Sequence, residues 1–586
     1  MGFGYRVCAV VLVGCWMGAA SAQGMVRADG QVQASAQSET TTPGVKVGQG
    51  AQPPVAGLLP TKDDLLRGGY GPFRANNDLL FYHLTLRVDP TAKTIVGTTV
   101  VRFRMLQDGR KIQLELTPEL KLEGVTFEGK ALTVARAAAD SRSFYVEFPR
   151  ELKKGEVDEV SVAYSGKPVT QGRFGCFSFD KDKEGKPWIT TACEGEGASV
   201  WWPNKDQWRD EPQDGMEIDV AVPDGLMDVS NGRFVGSRDL GDGYTEWMWR
   251  VHYPINNYDV ALNIGEYEHW DGVHVNKDTG EKTTLDYYAL PEDLEKAKAQ
   301  FAQVPVMLDA YEHYLGEYPF DKDGYKLIEV PYAGMEHQTA VAYGNHFENG
   351  YYGRDWTGVG ISPKFDFIII HESGHEWFGN AVTAADRSDM WIHEGWTTYL
   401  ESLYVEFQWG KADGIKYLNG LTPKVRNRQA IMTARGTNAE PTEDQYFKGA
   451  LMINTLRSVI DDDAKWFVDI HDFYQQFKYQ NIMTEDVIAW WNKRTGMDLT
   501  TFFDEYLRHA AIPVLELKFD RAKGTVAYKW CAEEAGFAMP IKMGERDHLT
   551  LVTPVTTEWK TMPWTGDPDT LAVPHDLYYV GEKTVP

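Results

Sequence analysis

The chain runs to 586 residues, 43% hydrophobic, 25% charged and 13% aromatic, which is more than one hydrophobic core can hold and excludes a disordered or fibrous protein. Its formal charge of -26 excludes nucleic acid and other polyanions as partners, because binding them draws on Lys and Arg to neutralise phosphate.

Arg6, an apolar stretch from Val7 and then Ala20-Ser21-Ala22 give residues 1–22 the pattern of a signal peptide, which predicts an exported protein, periplasmic or secreted. The apolar part is shorter than the roughly 20 residues a spanning helix needs, so the mature chain is expected to carry no transmembrane segment. Leu12-Val13-Gly14-Cys15 also has the form of a lipoprotein processing site, so a lipid anchor on Cys15 stays open. Beyond this segment stand Cys176, Cys193 and Cys531, which allow one intrachain disulfide at most. Cys176 with Cys193 is the nearest pair in sequence, and buried thiols are the alternative.

Residues 23–70 are rich in Gly, Ser, Thr, Gln and Pro without a hydrophobic period, the pattern of a flexible leader. In 71–270, alternating runs such as Tyr82-His-Leu-Thr-Leu-Arg-Val88 and Gly97-Thr-Thr-Val-Val-Arg-Phe-Arg104 recur between turn signals and predict an all-β domain. In 271–510 the text turns helical: Pro291 with Glu292 and Asp293 opens one helix, and others are expected over 364–383, 396–408 and 447–461. In 511–586, Pro513 to Phe519 and Leu549 to Val552 return to strand character. The predicted fold class is therefore α+β and multidomain: a β domain, a mostly helical middle and a small C-terminal β domain.

The chemistry begins at His371-Glu372-Ser-Gly-His375. Residues four apart share a helix face, so both imidazoles can reach one metal while Glu372 points toward the water it holds. Nineteen positions after His375, Glu394 stands in the aromatic text Trp391-Ile-His393-Glu394-Gly-Trp396, where an unpaired carboxylate is costly. Two His and one Glu are a known ligand set of catalytic zinc, with the fourth position left to water. One Zn2+ on His371, His375 and Glu394 is expected, with Glu372 as general base.

The first motif followed by Glu394, with Trp377-Phe-Gly-Asn380 behind one and Glu394-Gly-Trp-x-x-Tyr399 around the other, resembles the aminopeptidase N family of gluzincin zinc peptidases, which also includes leukotriene hydrolases. The resemblance covers most of the chain from about Asp78 and implies a β saddle domain before a thermolysin-like catalytic domain, with Asn257 to Gly265 joining them. It implies further roles. Gly334-Met335-Glu336-His337 is similar to the family's Gly-x-Met-Glu-Asn, whose Glu receives the substrate's α-amine, so Glu336 is the anchor and His337 stands where the family has Asn. Thr191-Ala-Cys-Glu194 before Trp201-Trp-Pro203 is similar to the stretch that adds a second contact to that amine, which points to Glu194, with Glu196 as a competing carboxylate. Tyr446-Phe-Lys448-Gly449 resembles the Tyr-x-Lys-Gly whose hydroxyl supports the oxyanion.

The sequence thus predicts a zinc aminopeptidase acting on peptides with a free N-terminus. A thermolysin-like endopeptidase would use the same metal site, and Glu336 separates the two. A binding scaffold without catalysis is the other rival, and the intact ligands, Glu372 and Tyr446 count against it. Long family members carry a large helical C-terminal domain; with about 75 residues after Ala511, a more open cleft is expected here.

Overall fold

The computed structural model describes residues 62–170 and 175–586. The signal-peptide reading of 1–22 and most of the leader lie outside the described residues. The leader does not extend to residue 70 as expected: Lys62–Gly68 is a helix, and Arg67 is buried, with its guanidinium bonded to the Glu196 carbonyl at 2.7 Å and paired with Asp206 at 3.5 Å. A buried ion pair fixes this segment, and hydrophobic periodicity does not report such an anchor.

The alternating runs build an eight-stranded sheet around Asn77–Asp89, which lies antiparallel to Thr94–Met105 and parallel to Met216–Pro223. Along Thr94–Met105 the residues that face inward alternate with those that do not, as in a sheet with one face on a core. A four-stranded sheet of Met227–Ser230, Leu262–Gly265, Pro187–Ala192 and Cys176–Lys181 packs on the same core. This second sheet reaches toward the site, because Pro187–Ala192 leads into Glu194 and the short turn Asn257–Asp259 before Leu262–Gly265 carries Tyr258. Cys176 and Cys193 stand here as buried thiols, with Cys193 Sγ 3.8 Å from the Cys176 carbonyl.

The middle part holds a five-stranded sheet, ordered Glu268–Val275, Lys282–Ala289, Tyr325–Glu329, Val341–Tyr343 and Gly334–Met335. All five residues of Tyr325–Glu329 are buried, so this strand has no alternation by which a sequence could announce it. Gly334–Met335 is the edge strand, and Glu336 follows it directly. Against the sheet's strands Val341–Tyr343 and Gly334–Met335 lies the helix Phe367–Gly374; Val304–Leu315 and Trp391–Trp409 pack on that helix, and Asp444–Ile460 packs on Trp391–Trp409.

The helix expected over 364–383 is shorter than its text. Asp366 caps its N-terminus by accepting from the amides of Ile368 and Ile369, and the α-helix ends at Gly374 with His375 as C-cap. The chain then turns through Gly379, at φ 135°, which aims the Phe378 carbonyl back at His375 Nδ1, 3.0 Å away. The turn that replaces the rest of the expected helix thus gives His375 Nδ1 a backbone partner.

At the C-terminal end Val514–Asp520 lies between Thr525–Cys531 and Gly581–Thr584. Its Leu515 and Leu517, with Trp530, belong to one hydrophobic cluster with the catalytic helices, so these strands share that core. Lys448 fastens the junction by donating to the carbonyls of His509, Ala510 and Ala511 at 2.9, 3.1 and 3.3 Å. Among the described residues no helix is long and apolar enough to cross a membrane.

Candidate active site

Three atoms from two helices converge. His371 Nε2 and His375 Nε2 are 3.3 Å apart, and Glu394 Oε2 lies 3.5 Å from the first and 3.3 Å from the second. All three side chains are buried. A tetrahedral zinc with bonds of about 2.0 to 2.2 Å sets its ligand atoms about 3.3 to 3.6 Å apart, so these spacings fit such an ion.

The donor chemistry agrees. His371 Nδ1 meets Glu401 Oε1 at 2.7 Å, and Tyr417 donates to Glu401 Oε2 at 2.6 Å. His375 Nδ1 donates to the Phe378 carbonyl, which also accepts from Thr397 Oγ1 at 3.1 Å. With both Nδ1 atoms committed, two Nε2 lone pairs and a carboxylate oxygen face one another in a dry pocket, an arrangement that a cation relieves. Burial pushes the Glu394 carboxyl up, and His375 and His371, when protonated in the absence of a metal, hold it well below the usual carboxylate range.

Glu372 lies beside this set, buried, with its side chain against the edge strand. A methyl added at Gly334 would meet Glu372 Cγ at 2.8 Å and its Oε1 at 2.9 Å, so only glycine lets the strand pass this close. Burial pushes the Glu372 carboxyl up to about 7, against the pull of His371 and His375. Met335 is fully buried next to Gly334 and anchors the strand in the core.

Glu336 closes the other side. It is buried, and a carboxylate oxygen of it lies within 4.8 Å of the ligand atoms of His375 and Glu394. Tyr258 donates to its Oε1 at 3.1 Å, and Asn380 holds its backbone carbonyl at 2.8 Å. Burial and then the charge of Glu194 push the Glu336 carboxyl well above its usual range. Glu194 is buried, whereas Glu196 is 41% exposed beside Arg142, which separates the two carboxylates left open by the sequence. His337 is buried with neither ring nitrogen hydrogen-bonded among the described residues, and burial pushes its pKa down to about 3, so it is neutral.

Tyr446 sits in the first turn of Asp444–Ile460, buried, with its ring 6.0 Å from that of His371. His371, His375 and Glu394 thus face one another, with Glu372, Glu336 and Tyr446 beside them and Glu194 acting on Glu336 through its charge. Sequence reasoning missed Glu401, Tyr258 and Thr397. Glu401 carried a signal, since it stands seven residues after Glu394 on the same helix, two turns on; Tyr258 reaches Glu336 from the short turn Asn257–Asp259, far off in sequence, and carried none.

Residues 80–258 match the Peptidase M1 N-terminal domain and residues 300–506 the Peptidase family M1 domain. The chain belongs to peptidase family M1. This M1 chain is similar to leukotriene A-4 hydrolase of Xenopus laevis, 24% identical over 495 residues, which are 76% of this chain and 74% of that one. Endoplasmic reticulum aminopeptidase 1 of Mus musculus is 24% identical over 277 residues, 45% of this chain and 28% of its own length. The M1 zinc metallopeptidase from Deinococcus radiodurans shares the M1 fold, with a TM-score of 0.62 over 75% of this chain and 94% of that one at 19% identity.

Proposed function

We propose that this M1 peptidase is a zinc-dependent aminopeptidase that cleaves the first bond of peptides with a free N-terminus. The observation that carries the proposal is the buried Glu336 carboxylate within 4.8 Å of the His375 and Glu394 ligand atoms. The α-nitrogen and the carbonyl carbon of one residue are two bonds apart, about 1.46 and 1.52 Å. An ammonium held by Glu336 therefore sets the first carbonyl over the metal site. An internal peptide bond would leave the same carboxylate buried against uncharged backbone. Glu194 adds its charge on the same side.

His371, His375 and Glu394 hold the zinc, which when bound supplies Lewis acidity to the scissile carbonyl and acidifies water. Glu372 accepts the proton of the attacking water and returns it to the leaving amine. Tyr446 donates its hydroxyl to the oxygen that gains charge, in a site dry enough for that bond to count. Glu401 and the Phe378 carbonyl keep both imidazoles in the tautomer that turns a bare Nε2 inward. Export is part of the proposal, and it rests on the pattern of residues 1–22 alone.

The test is metal analysis coupled to hydrolysis of alanyl and leucyl amides. About one zinc per chain, with activity lost to a chelator and restored by zinc, is expected. Activity indifferent to the chelator contradicts the proposal.

A further inference from the structure

Beside Glu194 lies a cavity of about 360 Å³ whose wall also includes Arg67, Asp206, Trp208, Arg387 and Asn438. Trp208 ties it to the site: its ring stacks on Tyr258 at 4.9 Å, whose hydroxyl holds Glu336, and on His393 at 5.4 Å, the neighbour of Glu394. Glu194 is a second tie, since it stands in this wall and its charge acts on Glu336. A water fills about 30 Å³ of liquid volume, so there is room for a side chain and several waters.

The charges in this wall do not balance. Arg67 is paired with Asp206, and Arg435 with Asp389 at 2.8 Å and Glu485 at 2.7 Å. Asp386 is committed to backbone, accepting from the Ser388 amide at 3.0 Å and the Gly436 amide at 2.9 Å. Arg387 is different. It is 8% exposed and donates only to neutral acceptors, the Gly195 carbonyl at 2.8 Å and Asn438 O and Oδ1 at 3.4 and 3.3 Å, and its Nε has no partner among the described residues. A buried guanidinium with no carboxylate in hydrogen-bond reach among the described residues is costly, and its planar fork of donors matches one. Glu194 shares the wall, and of all charges it weighs most on Glu336 and also on Arg387. An ammonium set against Glu336 and Glu194 engages the carboxylate whose charge weighs most on Arg387 and leaves the guanidinium with only neutral hydrogen-bond acceptors.

We infer that this cavity seats the side chain of the substrate's first residue and that Arg387 selects an acidic one, aspartate or glutamate. The inference rests on the aminopeptidase reading above. Its test compares free-amine amides of Glu, Asp, Gln and Leu on wild type, Arg387→Gln and Asn438→Asp. Wild-type kcat/KM should be higher for Glu and Asp than for Gln and Leu. Arg387→Gln should lower the Glu-to-Leu ratio at least about tenfold, the value of one hydrogen bond to a charged group. Asn438→Asp gives the guanidinium a carboxylate of its own at nearly unchanged volume and keeps the Gly195 contact, so the ratio should fall here too if Arg387→Gln does not fold. A wild-type preference for Leu over Glu, or a ratio unmoved in Asn438→Asp, overturns the inference while leaving the aminopeptidase intact. Hydrolysis of none of the four amides removes both readings.

Discussion

Gly395 and Gly449 meet backbone to backbone where the helix of Glu394 crosses the helix of Tyr446. A methyl added at Gly395 would stand 3.3 Å from Gly449 Cα, and one added at Gly449 would stand 3.1 Å from Gly395 Cα. The contact lets Trp391–Trp409 and Asp444–Ile460 lie close enough for Glu394 and Tyr446 to serve one site. Gly449→Ala should force the helices apart by a few tenths of an ångström. We expect kcat to fall about tenfold through misplacement of Tyr446, with zinc retained, since an error of 1 Å can cost about a hundredfold. Paired measurements of kcat and zinc content check this, and loss of the metal would show that the contact serves the ligands instead.

Glu401 orients His371 without touching the metal position. Glu401→Gln should weaken zinc binding about 10- to 100-fold, read by competition with a chelator. Activity should return at saturating zinc. Full zinc affinity in the variant would remove Glu401 from this role.

Glu372→Gln keeps the shape of the side chain and removes the proton acceptor. Turnover should fall about 10² to 10⁴-fold with the zinc content unchanged. A variant retaining more than about a tenth of the wild-type rate would place the base elsewhere.

Tyr446→Phe should lower kcat about 10² to 10³-fold with little change in KM, because the hydroxyl is needed when oxyanion charge develops. A raised KM at constant kcat would make Tyr446 a packing residue of the substrate cleft.

The spacing of the zinc-ligand candidates was legible in the sequence because its parts are local, whereas Glu336, Glu194 and Tyr446 were reached through the family resemblance. His371, Glu372 and His375 share one helical turn, and Glu394 and Tyr446 each stand in short phrases whose glycines, Gly395 and Gly449, record a helix crossing. Strand periodicity likewise gave the half-buried strands of the β part. What escaped was non-local or uniformly buried. Tyr325–Glu329 has no polar face to alternate with, the turn after His375 answers to a carbonyl that must face an imidazole, and Arg67 is held by partners more than a hundred residues away. Sequence patterns report periodicity along the chain, and these features depend on what lies across it.

The most direct test of the central claim compares matched peptides with free and acetylated N-termini on wild type and Glu336→Ala. Acetylation removes the ammonium and sets a bulkier neutral group against a buried carboxylate, so wild-type cleavage of the blocked peptide should nearly stop. Glu336→Ala should reduce kcat/KM on the free-amine peptide by about 2 to 5 kcal/mol, the cost of breaking a desolvated charge pair from one side, and should matter far less for the blocked one. Robust wild-type cleavage of the acetylated peptide at internal bonds would contradict the account and make the same zinc site that of an endopeptidase.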